Sequence, residues 1–323
     1  MNNATQNVPT SEELTKRHGM SEAELFSPAG YDESAGEVVA YSGYSYWRCV
    51  FRSFFKKKRV WVTAVLFVAL TVFAFIAPSL GTYHTIDELQ IDFAAMFQTP
   101  SKEYWFGTDN LGRDYWVQVW IATQTSIQLS GVVAIGTCIL GVIMGCIWGY
   151  VRSLDRVFME IYNLISNLPT IIYMTLIILF VGRSLFILMV SMIAFGWLHL
   201  AKQIRGLVML YRDREYNLAS RCLGTKTGTV IRKNLIPYLV SVIFLRFALS
   251  IPGTIGMETT LSYLGLGVDS ASLGVLLRNA RSYFVAYPHL LVFPALVVSL
   301  LTISVYLLGN TFSDCCDPRN HLE

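Results

Sequence analysis

Charge is scarce in this chain. Only 15% of its 323 residues are Asp, Glu, Lys or Arg, against about 25% in an ordinary soluble domain. With 54% hydrophobic residues and a mean hydropathy of +0.48, that shortage excludes a soluble globular domain and points to repeated membrane crossing. The net charge of +3 is small. The basic residues gather at the edges of apolar runs rather than along one face, so no nucleic-acid footprint is present either. The cysteines Cys49, Cys138, Cys146, Cys222, Cys315 and Cys316 have no C-x-x-C spacing, and two lie inside apolar runs. Neither a disulfide framework nor a zinc site is expected. No G-x-x-x-x-G-K-[ST] occurs, nor even a Gly-Lys dipeptide, so this chain is not expected to hold ATP on a P-loop. H-E-x-x-H is missing, as is a nucleophile-elbow context for any Ser/His pair. A catalytic role, a resident metal and a cofactor on this chain are therefore not expected. The N-terminal segment has no signal-peptide pattern, and the first apolar run is expected to act as the insertion signal.

What the chain has instead is long apolar runs. A spanning helix needs about 20 mostly apolar residues. Stretches of that kind occur at 60–80, 126–150, 161–181, 185–203, 238–259 and 289–311. The expected fold is all-α and polytopic, with six transmembrane helices. Four regions follow: a tail at 1–47, the first helix with an external segment at 48–124, a transmembrane core at 125–312 and a second tail at 313–323. The first span is preceded by Arg48, Arg52, Lys56, Lys57, Lys58 and Arg59, with no acid among them. Residues 81–124 carry Asp87, Glu88, Asp92, Glu103, Asp109 and Asp114 against Lys102 and Arg113. The positive-inside rule therefore predicts a cytoplasmic N-terminus and an external 81–124 segment in the cell membrane. Alternation then puts 204–237 and the C-terminus in the cytoplasm. Residues 202–233 agree, with Lys202, Arg205, Arg212, Arg214, Arg221, Lys226, Arg232 and Lys233 facing only Asp213 and Glu215. The acidic, turn-rich residues 1–45 read as a mobile tail without an assignable motif.

Several residues inside the spans stand out. Gly141, Gly145 and Gly149 recur every fourth residue, so they share one helix face and allow close helix approach. Packing within the chain is the simpler reading; a pore-lining or subunit contact is the alternative. Pro78, Pro169, Pro252 and Pro294 lie in or beside spans and can kink them. Arg246 lies nine positions past Pro237 and twelve before Glu258, near mid-bilayer at ~1.5 Å per residue. An unpaired charge there costs at least ~2.5 kcal/mol, so it must face protein or water. A helix carbonyl partner is one reading, and contact with a translocated substrate or its path is the other. His199 and Glu258, near span ends, are expected to anchor at the interface.

The segment DREYNLASRCLGTKTGTVIRKNLIP (213–237) is polar and basic between two long apolar runs. It is long enough for two short helices with Gly224 at the bend between them. Ala219 and Ser220 are small enough for another protein to pack close, and Pro237 closes the segment. On these residues alone it is either a docking element or a solvated linker. With Glu215, Ala219, Ser220, Gly224, Ile231 and Pro237 it resembles the EAA-type signature of ABC-importer permease subunits, although Leu218 stands where that pattern often has Ala. FGTDNLGRD (106–114), ETTLSYLGLG (258–267) and an Asp-Pro-Arg near the end (317–319) narrow the resemblance. Over about residues 48–320 the chain looks like the second permease subunit of dipeptide/oligopeptide and nickel importers. It departs from that pattern at Ser272-Leu273-Gly274, where a Trp-Gly pair is usual, and at Gly309-Asn310, where Gly-Asp is usual. Arg246 belongs to no motif of the family.

The resemblance implies the type I ABC importer permease fold with a cytoplasmic coupling helix. It implies a homologous permease as heterodimer partner, two ATPase subunits that carry ATP and Mg, an extracytoplasmic substrate-binding protein and a peptide cargo. Glu215, Ala219, Ser220, Gly224 and Pro237 would form the ATPase-coupling loop. Gly107, Asp109, Gly112, Arg113 and Asp114 read as a folded external cap built from turn chemistry, with a cation held by Asp109 and Asp114 the lesser reading. The same permease type serves other solutes such as nickel chelates. A self-sufficient channel or secondary transporter is the alternative from another class, and an intramembrane enzyme is disfavoured by the missing chemistry.

Overall fold

The helix boundaries follow the apolar runs but overshoot them. The computed structural model describes residues 46–80, 93–267 and 269–316. The chain separates into two units, 1–46 and 47–323, and the spanning helices all belong to the second. The acidic tail at 1–45 and the Asp-Pro-Arg stretch at 317–319 lie outside the described residues. A short helix α1 (Tyr46–Lys56) leads into α2 (Lys58–Ile76), which ends in a 3-10 turn at Ala77–Leu80 around Pro78. The longest helix, α3, runs from Tyr115 to Tyr150. It is followed by α4 (Arg152–Ser166), α5 (Thr170–Val181) and α6 (Leu185–Arg212). After the short α7 (Glu215–Cys222) and α8 (Thr227–Val230), a π-turn at Ile231–Leu235 leads into α9 (Ile236–Tyr263). The surface helix α10 (Leu273–Arg281) and α11 (His289–Cys316) complete the described chain. Among the described residues the only β pairing is one isolated bridge, Thr108 with Asp114.

The expected span at 126–150 starts eleven residues early. Asp114 caps α3 by accepting from the Trp116 amide at 2.9 Å, so the helix begins at the cap and not where hydrophobicity rises. The expected span at 161–181 is not one straight helix. Pro169 lacks an amide hydrogen and disfavours helical geometry at Leu168, and α4 and α5 meet there at 79°. Pro252 and Pro294 stay inside α9 and α11.

The glycine face of α3 packs against α6. A methyl group at Gly141 would lie 2.8 Å from Leu200 Cδ2, and one at Gly145 would lie 2.7 Å from the Ala201 carbonyl oxygen and Ile204 Cβ. At Gly149 it would lie 2.8 Å from Val208 Cβ, and at Gly136 2.6 Å from Ile193 Cδ1. The stripe is thus a contact within the chain. The partners rise together in number along both helices, so α3 and α6 run parallel. Two parallel neighbours require the chain to travel back between them, and α4 with α5 makes that return. Trp148 and Arg205 hold Asp155 of α4 at one end, while Met174 and Ile178 of α5 pack with Leu129 and Leu188 at the other. Among the described residues five helices are individually long and apolar enough to cross a membrane, and the count is six with the bent pair taken as one broken span.

Gly145→Leu should lower stability by roughly 2 kcal/mol or more, because the Ala201 backbone cannot move aside. The drop should appear in the thermal midpoint of the detergent-solubilised chain. Gly131→Ala, where a methyl would meet nothing within 4 Å, should leave the midpoint unchanged or slightly raised. A wild-type midpoint for Gly145→Leu would refute the packing argument.

Candidate functional site

The polar segment after α6 forms a short helix with one face held and one face open. Arg214 is extended, and α7 starts with Glu215 in its first turn and ends with Arg221 in its last, a placement that suits the helix dipole. The helix stops in a Schellman motif. Gly224 takes φ +77°, its amide donates to the Arg221 carbonyl at 3.0 Å, and the Thr225 amide donates to the Ser220 carbonyl at 3.1 Å. Gly224 therefore turns the chain toward α8, and the space beside it is open, since a methyl there would meet nothing within 4 Å.

The held face centres on Asn217, whose side chain is fully buried. Its Nδ2 donates to the Tyr211 carbonyl at 2.9 Å, and its Oδ1 accepts from Asn234 Nδ2 at 2.9 Å. Asn234 Nδ2 also reaches Ser220 Oγ at 3.4 Å, while Ser220 donates to the Tyr216 carbonyl at 2.9 Å. Through these bonds α7 is tied both to the last turn of α6 and to the π-turn that opens α9. Pro237 sits at the second position of α9, where its missing amide hydrogen is tolerated. The open face presents Tyr216, Leu218, Ala219 and Leu223, with Leu223 86% exposed.

A second tie lies beside it. Asp213 accepts from Arg212 Nε at 3.1 Å, from an Arg152 guanidinium nitrogen at 3.2 Å and from an Arg221 guanidinium nitrogen at 3.3 Å. Arg212 also donates to the Gly149 carbonyl at 2.7 Å, locking the end of α6 onto the end of α3. The Arg212 hydrogen bond, with the charges of its neighbours, holds the Asp213 carboxyl below its ordinary range.

The FGTDNLGRD motif lies at the opposite end of α3, some 54 Å away at ~1.5 Å per residue. Gly107 and Gly112 take φ +76° and +74°, and Asp109 closes the turn between them. Its carboxylate accepts from the Leu111 and Arg113 amides at 2.9 Å, from Arg113 at 2.7 Å and from Gln118 Nε2 at 3.0 Å. Thr108 ties the turn to Ala95 and Gln98, and the Tyr115 hydroxyl donates to the Leu290 carbonyl at 2.6 Å. Among the described residues no group of three His, Cys, Asp or Glu side chains is placed to hold a metal.

Glu258 departs from the expectation of interface anchoring. It is completely buried, and its Oε1 accepts from Ser262 at 2.8 Å and Ser272 at 2.6 Å. Ser272 also caps α10, accepting from the Val275 amide at 3.2 Å, and the Leu273 amide donates to Ser126 Oγ at 3.1 Å. A methyl group at Gly274 would sit 2.2 Å from Glu258 Oε2, so the carboxylate is housed by the Ser272-Leu273-Gly274 stretch. Charge in an apolar run signals an interface anchor only when nothing folds over it, and α10 folds over this one.

Among the described residues no carbonyl partners Arg246, against the first of the two readings. Its exposed side chain lines a cavity of about 390 Å³ between α3, α5, α6 and α9, which His199 also borders. Of the two residues that sequence reasoning named for close packing, Ala219 lies on the open face and Ser220 is engaged by Asn234 on the held one; the Asn217–Asn234 clamp and the arginine cluster around Asp213 were not anticipated. An Asn within a short polar helix looks like surface until the chain returns beside it.

Known proteins resemble this chain over most of its length. A family model described as binding-protein-dependent transport system inner membrane component matches residues 138–321, and one described as the N-terminal TM domain of oligopeptide transport permease C matches residues 45–100. The chain is 35% identical over 301 residues to the oligopeptide transport system permease protein AmiD of Streptococcus pneumoniae, covering 92% of this chain and 98% of that one. It is 30% identical over 300 residues to the oligopeptide transport system permease protein OppC of Bacillus subtilis, covering 91% and 97%. The dipeptide transport system permease protein DppC of Bacillus subtilis is 29% identical over 316 residues, 97% of this chain and 98% of that one.

Replacing Glu258 by Ala leaves two buried hydroxyls without their acceptor, at about 1–3 kcal/mol each. The thermal midpoint in detergent should fall clearly for Glu258→Ala and less for Glu258→Gln, which keeps an acceptor oxygen; equal midpoints would contradict the geometry. Asp213 titrates lower when folded than unfolded, so its contribution is complete above the unfolded value of ~3.9 and disappears as pH falls through the depressed folded value. Protection of residues 213–224 against hydrogen exchange, corrected for the intrinsic pH dependence, should hold from pH ~8 to ~5 and fall only below ~4. Loss already between ~7 and ~5 would exclude Asp213 as the anchor.

Proposed function

The chain belongs to the family of binding-protein-dependent transport system inner membrane components, and from that membership we propose that it is the permease subunit of a peptide importer whose α7 receives the stroke of a partner ATPase. It is a multi-pass membrane protein, and its relatives are permease subunits of oligopeptide and dipeptide transport systems. In the proposed assembly it pairs with a homologous permease, two ATPases dock from the cytoplasm, and an extracytoplasmic binding protein delivers peptide. Its N- and C-termini are cytoplasmic. ATP and Mg belong to the ATPases; this chain supplies no catalytic group.

The observation that carries the reading is the two-faced construction of α7. Tyr216, Leu218 and Leu223 are exposed outside the apolar stretch of the spans, which suits burial against a partner's groove. On the other side Asn217 joins α7 to α6 and α9 at once. A displacement of α7 would therefore be passed to two spanning helices as a rigid-body movement. Glu215 and Ala219 border the proposed contact, Ser220 braces it from within, and Gly224 and Pro237 set the turns on either side. The FGTDNLGRD turn and the loop before α10 would receive the binding protein at the other end.

Purification in mild detergent should recover the chain with an ATPase and a second permease; a lone chain active in uptake would overturn the assignment. Gly224→Asp should abolish ATP-coupled uptake while the chain still inserts and assembles with its partner permease. Space around Gly224 is open within the chain, but a side chain at φ +77° is strained. Gly224→Asn, which tolerates that conformation without adding charge, is therefore the control. A loss confined to the Asp variant belongs to the docked partner, and a loss common to both belongs to the backbone. Normal uptake by the Asp variant would remove α7 as the coupling contact.

A further inference from the structure

The cavity between α3, α5, α6 and α9 has an unusual lining. Its chemistry divides into one fixed cation and a pliable apolar wall. Arg246 projects from α9 near the middle of the span, and no hydrogen bond or ion pair to the described residues engages it. No acid lines the cavity; His199 is the other basic side chain among the lining residues, and its Nδ1 lies 3.4 Å from the Tyr162 hydroxyl. The rest of the lining includes Met174, Met192 and Met257 with Tyr173 and Phe195.

We propose that Arg246 binds the C-terminal carboxylate of the transported peptide, while the methionine and aromatic wall accepts its side chains without selecting among them. The inference rests on the peptide-importer reading and names the group that this permease recognises. An uncompensated guanidinium in a low-dielectric span is costly, so it is kept where a counter-charge arrives in the working cycle. Its planar fork matches a carboxylate through two parallel N–H···O bonds, a match an ammonium lacks. The carboxylate is also the one anion that every unmodified peptide carries, whatever its sequence. Thioether side chains are unbranched and polarisable, so they repack around differing shapes. Such surfaces bind broadly, and fixed charges bind specifically. A cavity of about 390 Å³ lies within the ordinary range of about 300–1,000 Å³ for small-ligand sites. It takes a short peptide or one end of a longer one.

The experiment uses the whole transporter in proteoliposomes with its binding protein. Uptake of one labelled peptide as the free acid is compared with uptake of the same peptide as the C-terminal amide. The binding protein is identical throughout, so a change in the acid-to-amide ratio between wild type and variant belongs to the permease. For Arg246→Gln the ratio of kcat/KM values should fall roughly ten- to a hundredfold, the loss expected for charge-assisted hydrogen bonds. Arg246→Lys should retain part of the preference. A ratio unchanged in Arg246→Gln, whether or not total uptake declines, overturns the proposal. So does failure of Arg246→Gln to assemble or to keep basal ATPase activity, which would make the arginine a structural residue. If the wild-type complex takes up neither peptide, the importer reading itself fails and this inference falls with it.

Discussion

Everything in the bundle follows from how closely α3 approaches α6. Four glycines along α3 remove the side chains that would keep the backbones apart, and the facing residues of α6 fill the space. Because the two helices run parallel, the chain between them must return through the bundle, and it does so with a proline break at its midpoint. The same approach sets Gly149 against Arg212, so that α6 ends where α3 ends. The position of α7 is then determined, since Asp213 and Asn217 follow within five residues of that contact. A seam of missing methyl groups thus locates the segment that projects from the membrane end.

The two ends of α3 are finished by different chemistry. At one, backbone amides two to four residues further on converge on Asp109 and Asp114. At the other, side chains distant in sequence converge. Arg152, Arg212 and Arg221 surround Asp213, and Asn234 reaches back across seventeen residues to Asn217. Local closure makes a stiff cap. Long-range closure makes a joint that ties the ends of α3 and α6 to α4, α7 and the turn that opens α9.

The sequence made the spans legible because apolar length is a direct record of bilayer thickness. The spacing of Gly141, Gly145 and Gly149 announced a close helix contact, although not which helix supplied the partner. Pro169 was visible as a breaker, but one proline does not specify the 79° angle at which α4 and α5 meet. Glu258 was misread for a reason that applies widely. Hydropathy treats an acid near a span end as reaching for water, and nothing local reveals that Ser272, fourteen residues on, folds over it. Arg246 shows the reverse case: the sequence marked it as anomalous, and the structure supplied the surrounding space that gives the anomaly meaning.

The exposure of Leu223 has a consequence for the life of the chain before assembly. Lipid shields the apolar flanks of the spans as soon as the helices insert, but it does not cover Tyr216, Leu218 and Leu223. A subunit made without its partners would carry a wet hydrophobic patch on a short helix, a feature that invites self-association and recognition by proteolytic surveillance. On the proposed reading, the surface that docks the ATPase would also mark the orphan, and the abundance of this chain would be tied to the supply of the partner that covers α7.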